Sequence, residues 1–261
     1  MGFIVTVIGL TATTVLPEIV TTDGESMMSE NIEAAQSDQT NNPIKHKLRV
    51  GIFLYPGMTM LDAYGPLQFL AFVPSFETFT FAKTSTLLPC DAGVNLQPNY
   101  DFDNCPPIDI LLVPGSANPL AQIQDEKVIS FLKCKGEQAQ YITSVCTGAL
   151  ILAATGLLNG YRTTTHWAYA SVLAQYPQIT FENKRIVIDR NRISGGGITA
   201  GLDFALALIA NIEGEQQAKT LQLLFEYDPK PPFNCGSPIL ADALLVQRVE
   251  QEVRLIASGL F

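Results

Sequence analysis

From Lys47 onward, short apolar runs alternate with longer stretches whose apolar residues recur at helical spacing. The run "LRVGIFLY" is rich in β-branched and aromatic residues and stops at Pro56-Gly57, which predicts a buried strand closed by a turn. "MLDAYGPLQFLAFV" follows with Leu61, Leu67, Leu70 and Ala71 at helical spacing, and Gly65-Pro66 predicts a short loop leading into the helix. "FETFTFAK" alternates as a half-buried strand does. "IDILLVPGS" is continuously apolar up to Pro114-Gly115, the mark of a central parallel strand.

Asp125 to Cys134 puts Val128, Phe131 and Leu132 on one helical face, and "AQYITSV" is a further buried strand running straight into Cys146. The next helix is expected from about Thr147 to Thr155, with Gly156 as its cap. "ITFENKRIVIDRNRISGGG" predicts two strands around the turn-like "ENK", and "ITAGLDFALALIANI" opens a long apolar helix. "LLVQRVEQEVRLI" is a last amphipathic helix. Such alternation predicts an α/β fold over residues 47–261, a mostly parallel sheet with helices on both faces. No period of 20 to 50 residues recurs, which excludes a solenoid.

Residues 1–46 read differently. "MGFIVTVIGLTATTVLPEIV" has the apolar segment of a signal peptide but no positive residues before it, and the polar, acidic stretch after it is that of a disordered leader. The formal charge of -9 is concentrated here: residues 1–44 hold six acidic residues and no Lys or Arg. The rest carries 16 basic and 19 acidic residues with no basic run, so the electrostatic footprint of a nucleic-acid binder is missing and a small neutral substrate fits better. No apolar run reaches membrane-spanning length, and the expected location is cytoplasmic. The five cysteines are odd in number and lack C-x-x-C spacing, so neither a disulfide framework nor a metal site is predicted.

Cys146 is the residue that asks for chemistry, because in an open α/β sheet ligands gather at the carboxyl ends of strands. A thiol on a strand-to-helix turn meets the free N–H groups of the helix start, which favour the thiolate. The alternative is a small side chain filling a helix–sheet junction. Asp62 follows the first strand on the same sheet edge; it either serves Cys146 as a carboxyl whose pKa is raised by burial and a neighbouring thiolate, or caps a helix beginning near Ala63. His166 in "TTTHWAY" is either the base of a Cys–His pair or a buried histidine beside Trp167. Gly195, Gly196 and Gly197 lack the Lys-Ser/Thr of a phosphate loop and fit a backbone wall of the site.

Five ordered blocks, "LYPGMTMLDAYGP", "LLVPGS", "SVCTGALILAATGLLNGYRTTTHW", "SGGGITAGLDFAL" and "EYDPKPPFNCGSP", resemble the ThiJ/PfpI superfamily over about residues 47–254. The resemblance implies a flavodoxin-like three-layer sandwich with a nucleophile-elbow cysteine. It is similar above all to the branch that hydrates isonitriles, R–N≡C, to N-substituted formamides without metal or organic cofactor. By position it makes Cys146 the nucleophile and Asp62 the carboxyl partner, where many members carry Glu; Thr147, Gly195, Gly196, Gly197 and His166 would meet the substrate. Thr147 stands where protease-like members have His, which weakens a protease reading. A homodimer is implied too. Glyoxal or peptide chemistry, a transcriptional regulator and a cysteine redox sensor are the competing readings within the same superfamily.

Overall fold

The computed structural model describes residues 46–261; the leader expected over residues 1–46 falls outside them but for His46. The first half runs β1 (Leu48–Phe53), α1 (Met60–Leu70), β2 (Phe76–Ala82), β3 (Leu88–Pro89), β4 (Asn95–Leu96), β5 (Tyr100–Asp101), β6 (Ile110–Val113), α2 (Leu120–Ile123) and α3 (Glu126–Gln138). The second runs β7 (Tyr141–Val145), α4 (Gly148–Thr155), β8 (Arg162–Thr163), α5 (Ala170–Leu173), β9 (Thr180–Phe181), β10 (Ile186–Asp189), β11 (Arg192–Gly195), α6 (Ala200–Glu213), α7 (Glu215–Leu224) and α8 (Ala243–Ile256).

Seven strands form one sheet in the order β10-β11-β7-β6-β1-β2-β5. All neighbours are parallel except β10, which pairs antiparallel with β11. The central strands are apolar because both faces are covered: all four residues of β6 are buried, as are Ile142 to Val145 of β7. Helices α1, α6 and α7 pack together, and α2, α3, α4 and α5 form a second group, which makes the flanking layers of an α/β sandwich. The register sets Val113 beside Ser144 and Val145 beside Gly195, so the loops after β1, β6, β7 and β11 emerge along one edge. Among the described residues no helix is long and apolar enough to cross a membrane.

Two expectations are corrected, and one hairpin is added. Helix α1 starts at Met60 and runs through Gly65-Pro66 without a loop. Pro66 removes one backbone donor and is tolerated because it packs on α6, where a Cβ added to Gly201 would lie 3.3 Å from its ring. β2 is buried from Phe79 to Ala82 rather than half-exposed, being flanked by β1 and β5. The two strands expected around "ENK" are β9 and β10; the sequence did not mark the hairpin that follows, which joins β10 to β11 through Arg190 and Asn191, with Arg190 at φ 56°. The sequence offered no glycine to mark that left-handed position.

Helix α4 starts so close to β6 that a Cβ on Gly148 would fall 2.0 Å from the Val113 carbonyl oxygen. The neighbour is strand backbone and cannot rotate away. Gly148→Ala is therefore expected to lower the free energy of unfolding by about 3 kcal/mol or more, measured by urea titration. Parent-like stability in that variant would contradict the close approach.

Candidate active site

Cys146 sits between β7 and α4 with φ at 58°, a left-handed conformation that costs a non-glycine residue about 1–3 kcal/mol. Two backbone hydrogen bonds hold it there. Its N–H donates to the Gly195 carbonyl at 3.0 Å, and its carbonyl accepts from the Thr165 hydroxyl at 3.0 Å. The side chain is 5% exposed.

Asp62 is completely buried, in the first turn of α1. Its Oδ2 accepts from the Gly115 N–H at 3.0 Å, across the sheet edge rather than within its own helix. The capping role is thereby overturned: the helix begins at Met60, and its N-cap Thr59 makes no side-chain cap bond. Oδ1 has no hydrogen bond of normal geometry, yet Asp62 and the Cys146 thiol each shift the other's titration as hydrogen-bonding neighbours do. Burial pushes the Asp62 carboxyl up to about 7, against the pull of the Gly115 N–H and the thiol.

The thiol moves in the opposite sense from the sequence expectation. Burial, then the Asp62 charge, hold it well above its ordinary pKa. Thr147 pulls the other way and does not prevail. Its single hydroxyl proton goes to the Ser116 carbonyl at 2.7 Å, so only its backbone N–H is left to favour the thiolate. A helix start lowers a thiol pKa when water can also reach the sulfur; here desolvation is the larger effect.

Thr147 is fully buried, and its Oγ1 also accepts from the Ser116 N–H at 2.8 Å, so its hydroxyl is spent on the loop after β6. Gly115 fits this contact because it lacks a side chain: a Cβ there would lie 2.5 Å from the Thr147 nitrogen and 3.0 Å from Asp62 Oδ2. Of the three glycines, Gly195 gives its carbonyl to Cys146, and the Gly196 N–H is used by the Arg185 carbonyl at 2.9 Å. The Cys146 and Gly196 amides are thus unavailable to stabilise developing charge. Gly197 faces the His166 ring, 3.2 Å from Cδ2 to its built Cβ.

His166 is not joined to Cys146 by any hydrogen bond. Its Nδ1 accepts from the Ala168 N–H at 3.3 Å, and its ring lies against Trp167 and Tyr169. Burial lowers its pKa, so it stands as a neutral ring with Nε2 carrying the proton. With Trp167, Lys184, Arg185, Gly197 and Ile198 it lines a cavity of about 450 Å³ that Cys146 and Asp62 do not line. Among the described residues no cluster of three or more His, Cys, Asp or Glu side chains could hold a metal ion.

Tyr55, Ser116 and Tyr169 were missed by sequence reasoning. Tyr55 donates to the Pro114 carbonyl at 3.1 Å, and Tyr169 donates to the Ala117 carbonyl. Both phenols are raised, chiefly by burial and further by the Cys146 charge, Tyr169 to about 12. Tyr55 and Ser116 stand directly after the apolar runs of β1 and β6, and their place at strand carboxyl ends was the available signal.

This sheet with its loop-borne cysteine defines the class. A family model described as the DJ-1/PfpI family matches residues 48–211, and the chain belongs to that family. It is 40% identical over 204 residues to isonitrile hydratase from Pseudomonas putida, a match covering 78% of this chain and 89% of that protein. A ThiJ/PfpI family protein from Pseudomonas syringae, known from a crystal structure, is 37% identical, with a TM-score of 0.74 over 85% of this chain and 95% of that one. The HTH-type transcriptional regulator GbdR of Pseudomonas aeruginosa is 31% identical over 137 residues, 52% of this chain and 37% of the regulator. The superfamily and sandwich expected from the sequence are those observed.

A carboxyl whose folded pKa is raised binds a proton that the unfolded chain has released. Its contribution to stability is complete below the unfolded value near 4 and is lost as pH rises towards about 7. Asp62→Asn removes this loss. Its thermal midpoint is expected to gain on the parent steadily between pH 4 and pH 7 and to level off above, read by calorimetry; a constant difference from pH 4 to pH 7 would contradict the buried carboxyl.

Proposed function

We propose that this protein hydrates isonitriles to N-substituted formamides, with Cys146 as nucleophile and Asp62 as the acid and base that serves it. The observation that carries this reading is the buried pair itself: Cys146, 5% exposed on its strained turn, beside the fully buried Asp62 held by the Gly115 N–H, with burial pushing the thiol up and the carboxyl to about 7. Such a pair moves a proton at neutral pH without separating charge for long in a desolvated site. The 40% identity to an isonitrile hydratase supplies the substrate class.

Asp62, as carboxylate, takes the thiol proton while sulfur attacks the terminal carbon of R–N≡C. The same proton passes to that carbon, giving the neutral thioimidate R–N=CH–S–Cys146. Water then adds: its oxygen bonds to the carbon, and Asp62 carries one water proton to nitrogen, leaving R–NH–CH(OH)–S–Cys146. Asp62 next takes the hydroxyl proton as the C–S bond breaks and gives it to the departing sulfur. The products are R–NH–CHO and the starting thiol, so atoms and charge balance. The Thr147 N–H stabilises the thiolate as it forms and leaves.

His166 is assigned to the substrate's substituent rather than to proton transfer, with Trp167, Gly197 and Ile198 around the same cavity. The reading includes a homodimer, for which Leu244, Leu255 and Ile256 of α8 offer exposed apolar surface.

With cyclohexyl isocyanide as probe and formamide followed chromatographically, Cys146→Ala is expected to abolish turnover. Asp62→Asn is expected to lower kcat/KM by about 10²–10⁴-fold while remaining folded. Parent-like activity in either variant would overturn the assignment. In the parent, kcat/KM is expected to fall tenfold per pH unit below about 7, as the Asp62 carboxylate becomes protonated; a flat profile from pH 5 to pH 8 would contradict the base.

A further inference from the structure

The loop Pro114–Ala117 after β6 is held at nearly every backbone polar group. The Pro114 carbonyl accepts from Tyr55, the Gly115 N–H donates to Asp62, and the Gly115 carbonyl accepts from the Thr59 N–H at 2.9 Å. The Ser116 N–H and carbonyl both engage the Thr147 hydroxyl, and the Ala117 carbonyl accepts from Tyr169. The side chain of Ser116 is different. It is 3% exposed, and its hydroxyl makes no hydrogen bond of normal geometry, with the Tyr55 phenol beside it.

Among the described residues only one other buried side-chain oxygen lacks a hydrogen bond of normal geometry, and it is Asp62 Oδ1, which has the Cys146 thiol as its neighbour. The two oxygens share one neighbourhood, since the other Asp62 oxygen is held by Gly115, the residue before Ser116. A buried hydroxyl without a partner costs stability, and a serine with a purely structural role would spend its hydroxyl on the loop. Here Tyr55, Thr59, Thr147 and Tyr169 have already taken the loop's groups. Tyr55 gives the hydroxyl a direction: its phenol lies against Ser116 and feels the charges of both Asp62 and Cys146.

We propose that Ser116 is a catalytic residue of this site, its hydroxyl oxygen and Asp62 Oδ1 together holding the water that attacks the thioimidate on Cys146. The proposal rests on the hydratase reading above. One water hydrogen points to Asp62 Oδ1, which the thiol proton no longer occupies once the adduct has formed. The other points to Ser116 Oγ, whose own O–H points to the Tyr55 oxygen, and Tyr55 in turn donates to Pro114. The water lone pair is left free for the carbon. As the C–O bond forms, the proton facing Asp62 moves to the carboxylate and from there to the imidate nitrogen. Ser116 orients and neither gains nor loses a proton. Its contribution falls on the second half of the reaction, since adduct formation draws on Cys146, Asp62 and the Thr147 N–H and involves no water.

The test is Ser116→Ala in the full chain, reacted with cyclohexyl isocyanide. Adduct formation is timed by acid quench and intact-protein mass, formamide release by chromatography. The variant is expected to form the adduct at the parent rate and to release formamide about 10- to 100-fold more slowly, so that adduct-bearing protein accumulates at steady state. Its thermal midpoint is expected to equal or exceed the parent's. Parent-like release without accumulation would overturn the role, as would a loss shared equally by adduct formation and release, which marks a structural effect. A lowered midpoint would shift the same test to Ser116→Cys, nearly isosteric and a weaker acceptor, with the same accumulation expected and the same two results overturning it. Absence of formamide from the parent itself would instead overturn the hydratase reading and this role with it.

Discussion

Everything at the site depends on one contact of backbone against backbone. The loop after β6 and the turn after β7 approach so closely that side chains are excluded at Gly115 and Gly148, where built Cβ atoms would fall 2.5 Å from the Thr147 nitrogen and 2.0 Å from the Val113 carbonyl. Thr147 then clasps Ser116 from both sides, and Asp62 takes the Gly115 amide. The strained turn at Cys146 is stable because these elements, with Gly195 and Thr165, over-determine it. Dense packing of this kind expels water, and expulsion of water sets the chemistry.

Desolvation acts on both partners in the same direction, against charge. It raises the carboxyl to about 7 and the thiol well above its ordinary value. A site that resists standing charge suits a substrate that enters neutral, reacts through neutral covalent intermediates and leaves neutral. A permanently ionised thiolate, as a redox sensor or a cysteine protease would use, is disfavoured here for the same reason. The histidine that such a protease would need is occupied elsewhere, bonded within its own turn and stacked on Trp167.

Much of this was legible in the sequence. Continuous apolar runs marked the central strands because those strands are buried on both faces. The junction of "YITSV" with a helix marked Cys146, and Gly156 closed that helix at φ 80° as its position implied. What failed were properties that depend on what lies across the sheet. Helix α1 tolerates Pro66 only because α6 offers it a small-residue surface. The sign of the thiol shift came out opposite because local sequence shows a helix start but not the absence of water around it. Tyr55, Ser116 and Tyr169 belong to separate segments, and their common function of holding the loop exists only in three dimensions.

The proposed reaction turns on a covalent bond between Cys146 and the substrate carbon. The most direct test mixes the parent protein with less than one equivalent of cyclohexyl isocyanide, quenches in acid within a turnover, and maps the mass-shifted peptide. The peptide that carries Cys146 is expected to gain the mass of one whole isonitrile molecule and to lose it as formamide appears. Formamide released at full rate with Cys146 unmodified throughout would contradict it.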